Sequence, residues 1–584
     1  MSSPAPSSVA PTSPEALLEA LDDEQRQAAE ALLGPVVLLA GAGTGKTRAI
    51  THRIAYGVAA GVYPPNRVMA LTFTARAAGE LRARLRVLGA GPVAARTFHA
   101  AALSQLNFFW PQVIGGQMPR LVASKGKLLG HAAETLHLKL DTASLRDMAA
   151  EVEWRKVSRL SLTQYAAAVR SSRTLPARVT PDAAVDLLRA YEDVKDSRRQ
   201  IDFEDVLLAT AGMIEAEPWV ASQVREQYRF FVVDEYQDVS PLQQDLLDLW
   251  LGDRTDLCVV GDASQTIYSF AGAKSEYLLG FAGRYRGARV IRLEQNYRST
   301  PRITETANRL MRGRPGALAL SAASAGTGTV GEEVVVTAYP HDGAEARGVA
   351  AAIGEQLAAG IRPEDIAVLY RVNVQAAELE RALGDADIPY QVRGSQRFFD
   401  LPEVRQAVLA LRGASVSISG EPLFKSVSDV LRSLGWTQEA PASRGAVRDR
   451  WESLDAIMGL AEQMPPGTSF REFTDELMQR QAGQHEPTMS AVTLATLHSA
   501  KGLEWDAVHL VGLSEGLVPI SHATTLASVD EERRLLYVGV TRARRVLRLS
   551  WSAAGPHRSA PRAPSRFLAE LDSRTPGAGP TRAG

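Results

Sequence analysis

Short unbroken aliphatic runs recur along the chain, each closed by small or polar residues. The first is Val36-Val37-Leu38-Leu39. Runs without polar alternation predict strands buried on both faces, as in parallel sheets. A loop of small residues follows, Ala40-Gly41-Ala42-Gly43-Thr44-Gly45. Ile50, Ile54 and Val58 then recur every fourth residue, the spacing of one helix face. Val68–Phe73, Phe230–Val233 and Leu257–Val260 repeat the strand pattern, and each delivers polar or aromatic residues at its C-terminal end. That is the edge at which open parallel sheets keep their sites. A second set comprises Val290–Leu293, Val334–Val336, Ile366–Tyr370, Val492–Leu494, Val508–Val511 and Val546–Leu549, mostly separated by helical spacing. The fold class is therefore α/β, with two lobes built on parallel sheets.

The pattern divides the chain further. Residues 1–14, rich in Ser, Pro and Ala, read as a disordered tail. A helix begins near Leu21 with Asp22 as its N-cap. The first lobe takes residues 15–108 and 200–287. A helical insertion over 109–199 carries the basic residues Lys125, Lys127, Arg146, Arg155, Lys156 and Arg159. The second lobe takes 288–408 and 489–568, interrupted by a short, mainly helical insertion over 409–488. Residues 569–584 read as a disordered basic tail; from Thr541 onward nine Arg stand against two acids.

Composition narrows the class. The 584 residues are 45% hydrophobic and 22% charged, as in globular proteins, and the formal net charge of −1 confines any nucleic-acid site to a local patch. The single cysteine, Cys258, lies in an apolar run and excludes an internal disulfide or a cysteine zinc cluster. No run approaches the roughly 18 apolar residues of a membrane span. The N-terminus lacks the features of a secretory signal. The expectation is a cytoplasmic protein without a membrane partner.

Two stretches carry the chemistry. Gly45-Lys46-Thr47 opens a helix directly behind a strand and a small-residue loop. Backbone amides and the helix dipole face an anion there, the lysine reaches outer phosphates and the threonine hydroxyl can ligate magnesium. Ala40 stands where the usual pattern has its first Gly. Asp234-Glu235 closes a buried strand. Asp234 can hold the metal and Glu235 can orient and deprotonate water. Together they predict a nucleoside triphosphatase using ATP and Mg2+.

These motifs stand in order with several others. Gln25 precedes the loop; Thr72-Phe73-Thr74 and Thr97-Phe98-His99 follow it. Then come Asp234-Glu235-Tyr236-Gln237-Asp238, Gly261-Asp262 with Gln265 and Tyr268, Gln295-Asn296-Tyr297-Arg298-Ser299, Thr496 to Trp505, and Tyr537 to Arg544. From about residue 21 to 568 the chain resembles the UvrD/Rep/PcrA-type superfamily 1 DNA helicases. The resemblance is weakest across the insertions.

The resemblance implies two RecA-like lobes that close on ATP. Gln25 would read the adenine edge, with Arg48 and Tyr297 packed on the base. Ala42, Gly43, Thr44, Gly45, Lys46 and Thr47 would hold the phosphates, Thr47 and Asp234 the magnesium ion, and Glu504 a ribose hydroxyl. Gln265 would sense the γ-phosphate beside the catalytic Lys46, Asp234 and Glu235. Arg298 and Arg542 would reach across the cleft as arginine fingers. On the DNA side, Phe73, Tyr268 and Phe270 would stack on bases, while Thr72, Thr97, His99 and His498 would meet the backbone. Residue pattern alone leaves each aromatic as a core residue. Where the family usually has Arg, this chain has Ala271, which removes a charge beside Phe270. The short second insertion departs from the family as well. Neither an appended four-cysteine zinc module with a helical nucleic-acid-binding domain nor a fused nuclease domain is expected in this sequence.

The reading is an ATP-dependent translocase and helicase moving 3′-to-5′ on single-stranded DNA and tailed duplexes, as a monomer or weak dimer, in repair or replication restart. A translocase that displaces proteins but unwinds weakly is the nearer alternative. An ATP-gated DNA-binding scaffold with little turnover is the alternative from another class.

Overall fold

The computed structural model describes residues 13–171, 175, 179–323, 330–393, 399, 401–415, 420–439, 446–462, 464–465, 467–483, 490–555 and 561–571. The chain falls into two compact units, Met1–Glu294 and Gln295–Gly584.

The first unit is built on a six-stranded parallel sheet. Its strands are β1 (Val36–Ala40), β2 (Val68–Thr72), β3 (Ala94–Thr97), β4 (Phe230–Val233), β5 (Leu257–Gly261) and β6 (Arg289–Leu293), in the order β3-β2-β4-β5-β1-β6. Successive side chains of β1 point to opposite faces. Val36 and Leu38 enter a core with Ile50, Ile54 and Val232; Val37 enters another with Phe98, Phe231 and Trp250. Helices cover both faces, which explains why the central strands show no polar alternation. Those that bear on the site are α1 (Asp23–Glu30), α2 (Lys46–Ala59), α3 (Phe98–Val113), α4 (Thr142–Val157), α5 (Pro181–Ser197), α6 (Phe203–Ala216) and α7 (Pro241–Leu251). Asp22 caps α1, accepting from the Gln25 amide at 2.7 Å. Cys258 is buried in β5, and burial raises its thiol pKa.

The pattern assigns Val290–Leu293 to the second lobe, but the structure places it in the first. As β6 it pairs along the free edge of β1, Val37 opposite Val290. A half-exposed edge strand looks the same in sequence whichever sheet it closes, because pairing is set by tertiary contact. Strands β3 and, in the second unit, Tyr390–Arg393 are short and half polar, and the hydrophobic pattern passes over both.

The first insertion gathers Lys125–Thr135, α4, Leu162–Ser171 and α5 around Leu129, Met148, Val152, Tyr165, Leu188 and Tyr191. A short parallel pair, Arg120–Leu121 with Gln200–Ile201, joins its two ends.

The second unit repeats the plan. β7 (Val335–Tyr339), β8 (Ile366–Tyr370), β9 (Tyr390–Arg393), β10 (Val492–Thr496), β11 (Trp505–Leu510) and β12 (Ala543–Ser552) form a parallel sheet in the order β7-β12-β11-β8-β10-β9. Helix α8 (Leu526–Val540) leads into β12. The second insertion starts earlier than its expected boundary at 409. The helix Pro402–Ala414 is continuous through that point, and Phe399, Val404 and Ala407 share a core with Val427, Leu454 and Phe473.

Of the expected tails, residues 1–12 and 572–584 lie outside the described residues. Pro14 begins a helix capped by the Ser13 hydroxyl, and 569–571 complete the helix Arg566–Leu571, so these positions are ordered rather than tail.

Candidate functional site

The phosphate loop hangs from the C-terminal end of β1. Gly43 and Gly45 both take positive φ, 72° and 78°. Ala40 is the last strand residue and has no such requirement, so a β-carbon is tolerated there. At Gly45 it is not: a β-carbon would lie 2.7 Å from Gln25 Nε2. Gln25 is buried, and that amide donates to the Thr44 carbonyl at 3.0 Å. The Thr44 hydroxyl in turn donates to the Gly41 carbonyl at 2.9 Å. In this arrangement Gln25 braces the loop. Arg48 Nη2 donates to the Ala20 carbonyl. The loop therefore sits against α1 and the turn before it.

Lys46 and Thr47 open α2. Lys46 Nζ is buried without a hydrogen-bond acceptor and lies 3.8 Å from Glu235 Oε1. A buried ammonium at the start of a helix is a receptor for an anion. Asp234 directly follows β4, and its Oδ1 accepts from the Glu235 amide at 2.9 Å. Glu235 has φ 52°, a left-handed conformation that costs a non-glycine residue about 1–3 kcal/mol. Such strain persists where the surroundings hold it, and here they do. Gln237 donates its side-chain amide to Glu235 Oε2, and its Oε1 accepts from the Asp262 amide at 3.1 Å. Asp262 Oδ2 accepts from Gln265 Nε2 at 2.8 Å. Four expected residues, Lys46, Asp234, Glu235 and Gln265, thus belong to one connected group. The link is Gln237, fully buried, which motif reading passes over because its role depends on a neighbouring strand.

Among the described residues no group of three or more His, Cys, Asp or Glu could hold a metal ion. The two residues expected to meet magnesium stand at element ends, Thr47 in the first turn of α2 and Asp234 directly after β4.

The candidate DNA residues differ in exposure. Phe270 is 56% exposed on the turn Ser269–Ala271, its ring 6.1 Å from that of Tyr268. Burial pushes the Tyr268 hydroxyl up to about 12. Phe73 is half buried against the core, 6.2 Å from Phe98. Thr72 is buried in β2, and the Thr97 hydroxyl caps α3 by accepting from the Ala100 amide at 3.1 Å. Burial, reinforced by Lys125, lowers His99 to about 4, and its Nε2 has no hydrogen-bond partner. Its ring stands edge-on to Phe203 at 6.0 Å. Phe203 is 49% exposed. It is a surface aromatic beside these residues that the sequence reading does not single out.

The second unit holds the remaining candidates. Tyr297 is half exposed. Arg298 is ion-paired with Glu504, which also takes Arg544 at 2.6 Å. Burial raises the Glu504 carboxyl, but Arg298 and Arg544 outweigh it and the net shift is downward. Arg542 is buried, with Nε donating to the Val538 carbonyl at 2.9 Å and Nη1 to the Leu503 carbonyl at 3.1 Å. His498 follows β10; burial, then Arg371, lowers it to about 4.

Comparison with known proteins gives the same family from end to end. The UvrD/REP helicase N-terminal domain model matches residues 21–286, and the UvrD-like helicase C-terminal domain model matches 291–437 and 423–554. The chain is 46% identical to the ATP-dependent DNA helicase UvrD2 of Mycobacterium tuberculosis over 96% of its own length and 82% of the relative's. It is 29% identical to DNA helicase II of Escherichia coli, covering 95% and 88% of the two chains. Against the ATP-dependent DNA helicase PcrA of Bacillus subtilis the identity is 27%, over 95% and 86%.

Proposed function

The chain belongs to the UvrD-like family of ATP-dependent DNA helicases, and from that premise we propose a motor that moves 3′-to-5′ on single-stranded DNA and opens tailed duplexes in repair or replication restart. The observation that carries the proposal is the chain of contacts from Lys46 through Glu235, Gln237 and Asp262 to Gln265, five residues before the exposed Phe270.

Lys46 and the loop amides hold the outer phosphates of ATP. Glu235 orients the attacking water and takes its proton. Thr47 and Asp234 would hold magnesium, which spreads the charge that builds on the phosphoryl oxygens. Gln265 senses the γ-phosphate and is joined to Gln237 through Asp262, whose carboxylate accepts from Gln265 and whose main-chain amide donates to Gln237. Arg298 and Arg542 supply the guanidinium charge that the transition state needs. Tyr297 and Arg48 pack on the base, Gln25 serves the adenine end of the loop, and Glu504 takes the ribose. Phe73, Tyr268 and Phe270 stack on bases, and Thr72, Thr97, His99 and His498 meet the backbone. The two insertions modulate unwinding. The motor acts in the cytoplasm as a monomer or weak dimer. No helix among the described residues is long and apolar enough to cross a membrane.

Ala271 favours one variation, a translocase that displaces bound proteins better than it unwinds, because alanine stands beside Phe270 where the family usually has Arg. The test of the main reading is ATP turnover with and without single-stranded DNA. Turnover that is low alone and rises strongly with DNA is expected; equal rates contradict the coupling.

A further inference from the structure

The turn that ends α4 touches three separate parts of the first unit within five residues. Lys156 is buried, with Nζ 2.6 Å from Asp202 Oδ2, 2.7 Å from Asp205 Oδ1 and 2.9 Å from Glu192 Oε1. Lys195, also buried, joins Glu192 and Asp205, and Arg155 reaches Glu192 at 2.8 Å. The Tyr191 hydroxyl donates to Asp202 at 3.0 Å, with both lysines over its ring. Three cations thus face three carboxylates, so a buried cluster that would be costly with one member missing is balanced. Burial opposes the Lys156 charge, but Asp202, Asp205 and Glu192 outweigh it and raise its pKa. Asp202 and Asp205 also form the capping box of α6. The cluster therefore fastens the insertion helices α4 and α5 to a helix of the core.

The next residues turn to the DNA side. Gly272 has φ +93°, and a β-carbon there would lie 2.7 Å from Val157 Cγ2 and 3.7 Å from Ser158 Oγ. Gly272 closes the turn Ser269–Ala271 that exposes Phe270. Arg159 then pairs with Asp245 of α7 at 2.6 Å. Nothing in this geometry brings Lys156 to DNA or nucleotide. It fixes the residue beside it, and that residue fixes the turn.

We propose that Lys156 is a positioning residue for DNA-stimulated hydrolysis: anchored in the buried cluster, it seats Val157 against Gly272 and so holds the Phe270 turn where a stacked base and the Gln265 segment act together. The inference rests on the proposed function, because it needs Phe270 to meet DNA. It makes the helical insertion a part of the coupling apparatus rather than an appendage.

The experiment compares four full-length proteins: wild type, Lys156→Met, Val157→Ala and Val157→Ile. Each is measured for ATP turnover with and without oligo(dT), for the KM of ATP, for thermal melting, and for the fluorescence of an oligonucleotide carrying 2-aminopurine. Lys156→Met leaves buried carboxylates uncompensated and can unfold the insertion. Val157→Ala leaves the cluster whole and shortens the side chain that meets the turn. DNA stimulation is expected to fall about fivefold in Val157→Ala and about tenfold in a folded Lys156→Met, changes that are resolvable in steady-state assays. DNA-free turnover and the KM of ATP stay within about twofold, and the 2-aminopurine stacking signal weakens in step with stimulation. Val157→Ile, which keeps the branched contact, retains both. Stimulation that survives in Val157→Ala overturns the inference, as does a parallel fall of DNA-free and DNA-stimulated rates. A wild type that DNA fails to stimulate overturns the functional reading itself, and this inference with it.

Discussion

Arg298 is ion-paired with Glu504, and the same guanidinium donates from Nη1 to the Thr541 carbonyl at 3.1 Å. Thr541 immediately precedes the buried Arg542, so the two candidate fingers are tied into one group. An arginine stays charged under any working condition. Its availability to a phosphate is therefore set by which anion holds it. In this arrangement that anion is Glu504, so the proposed finger role would require the exchange of carboxylate for phosphoryl oxygen.

Arg298→Ala should leave ATP and single-stranded DNA binding largely intact and remove most turnover. Such fingers are worth about 10³–10⁵ in rate. Single-turnover hydrolysis at saturating DNA, with nucleotide affinity measured separately, checks this. A loss under about tenfold, or about 1.4 kcal/mol, means that Arg298 is not the finger.

Glu235→Gln should retain nucleotide binding while hydrolysis falls by about 10²–10⁴, the range for a lost general base. The backbone strain at φ 52° is unchanged by this substitution, so melting temperature should hold. Rapid-quench hydrolysis beside nucleotide titration separates the two effects. A variant that turns over normally assigns the proton transfer elsewhere.

Phe270→Ala should weaken movement along DNA more than ATP binding. Base stacking on one aromatic is worth about 1–3 kcal/mol, and at 56% exposure the ring has little packing to lose. Translocation timed on single strands of increasing length gives the answer. Normal stepping returns Phe270 to an ordinary surface residue.

His99 gives a pH prediction of definite sign. Its folded pKa of about 4 lies below the ordinary 6.5, because burial and Lys125 disfavour the charged form. A depressed histidine contributes stability that is fully present above the unfolded value and is lost as pH falls from 6.5 towards 4. Between pH 8 and 7 the ring stays neutral, so DNA affinity should show no histidine step there. Chemical denaturation of wild type and His99→Gln from pH 7.5 to 4.5 should show the wild type losing more stability on acidification. Parallel curves would place the His99 titration near its ordinary value.

Local chemistry was legible in the sequence where residues act with their chain neighbours. Strand, glycine loop and Lys46-Thr47 are contiguous, as are β4 and Asp234-Glu235, so spacing alone exposes them. What depends on distant segments was not. Val290–Leu293 reads as a strand, but only pairing with β1 assigns it to the first sheet. Gln237 reads as one letter of a motif, whereas its two side-chain bonds join Glu235 to the Asp262 amide from the neighbouring strand. Phe203 looks like a core residue until α6 leaves it exposed beside His99. Gln25 and Arg48 are expected at a base, whereas their bonds to the Thr44 and Ala20 carbonyls join segments that spacing alone does not bring together.

The most direct test of a directional ATP-driven motor is strand displacement by the full chain on duplexes carrying a 3′ or a 5′ single-stranded tail, with Lys46→Ala as the control. The account predicts ATP-dependent displacement from the 3′-tailed duplex, little from the 5′-tailed one, and none with Lys46→Ala. Displacement that prefers the 5′ tail, or that persists without Lys46, would contradict it.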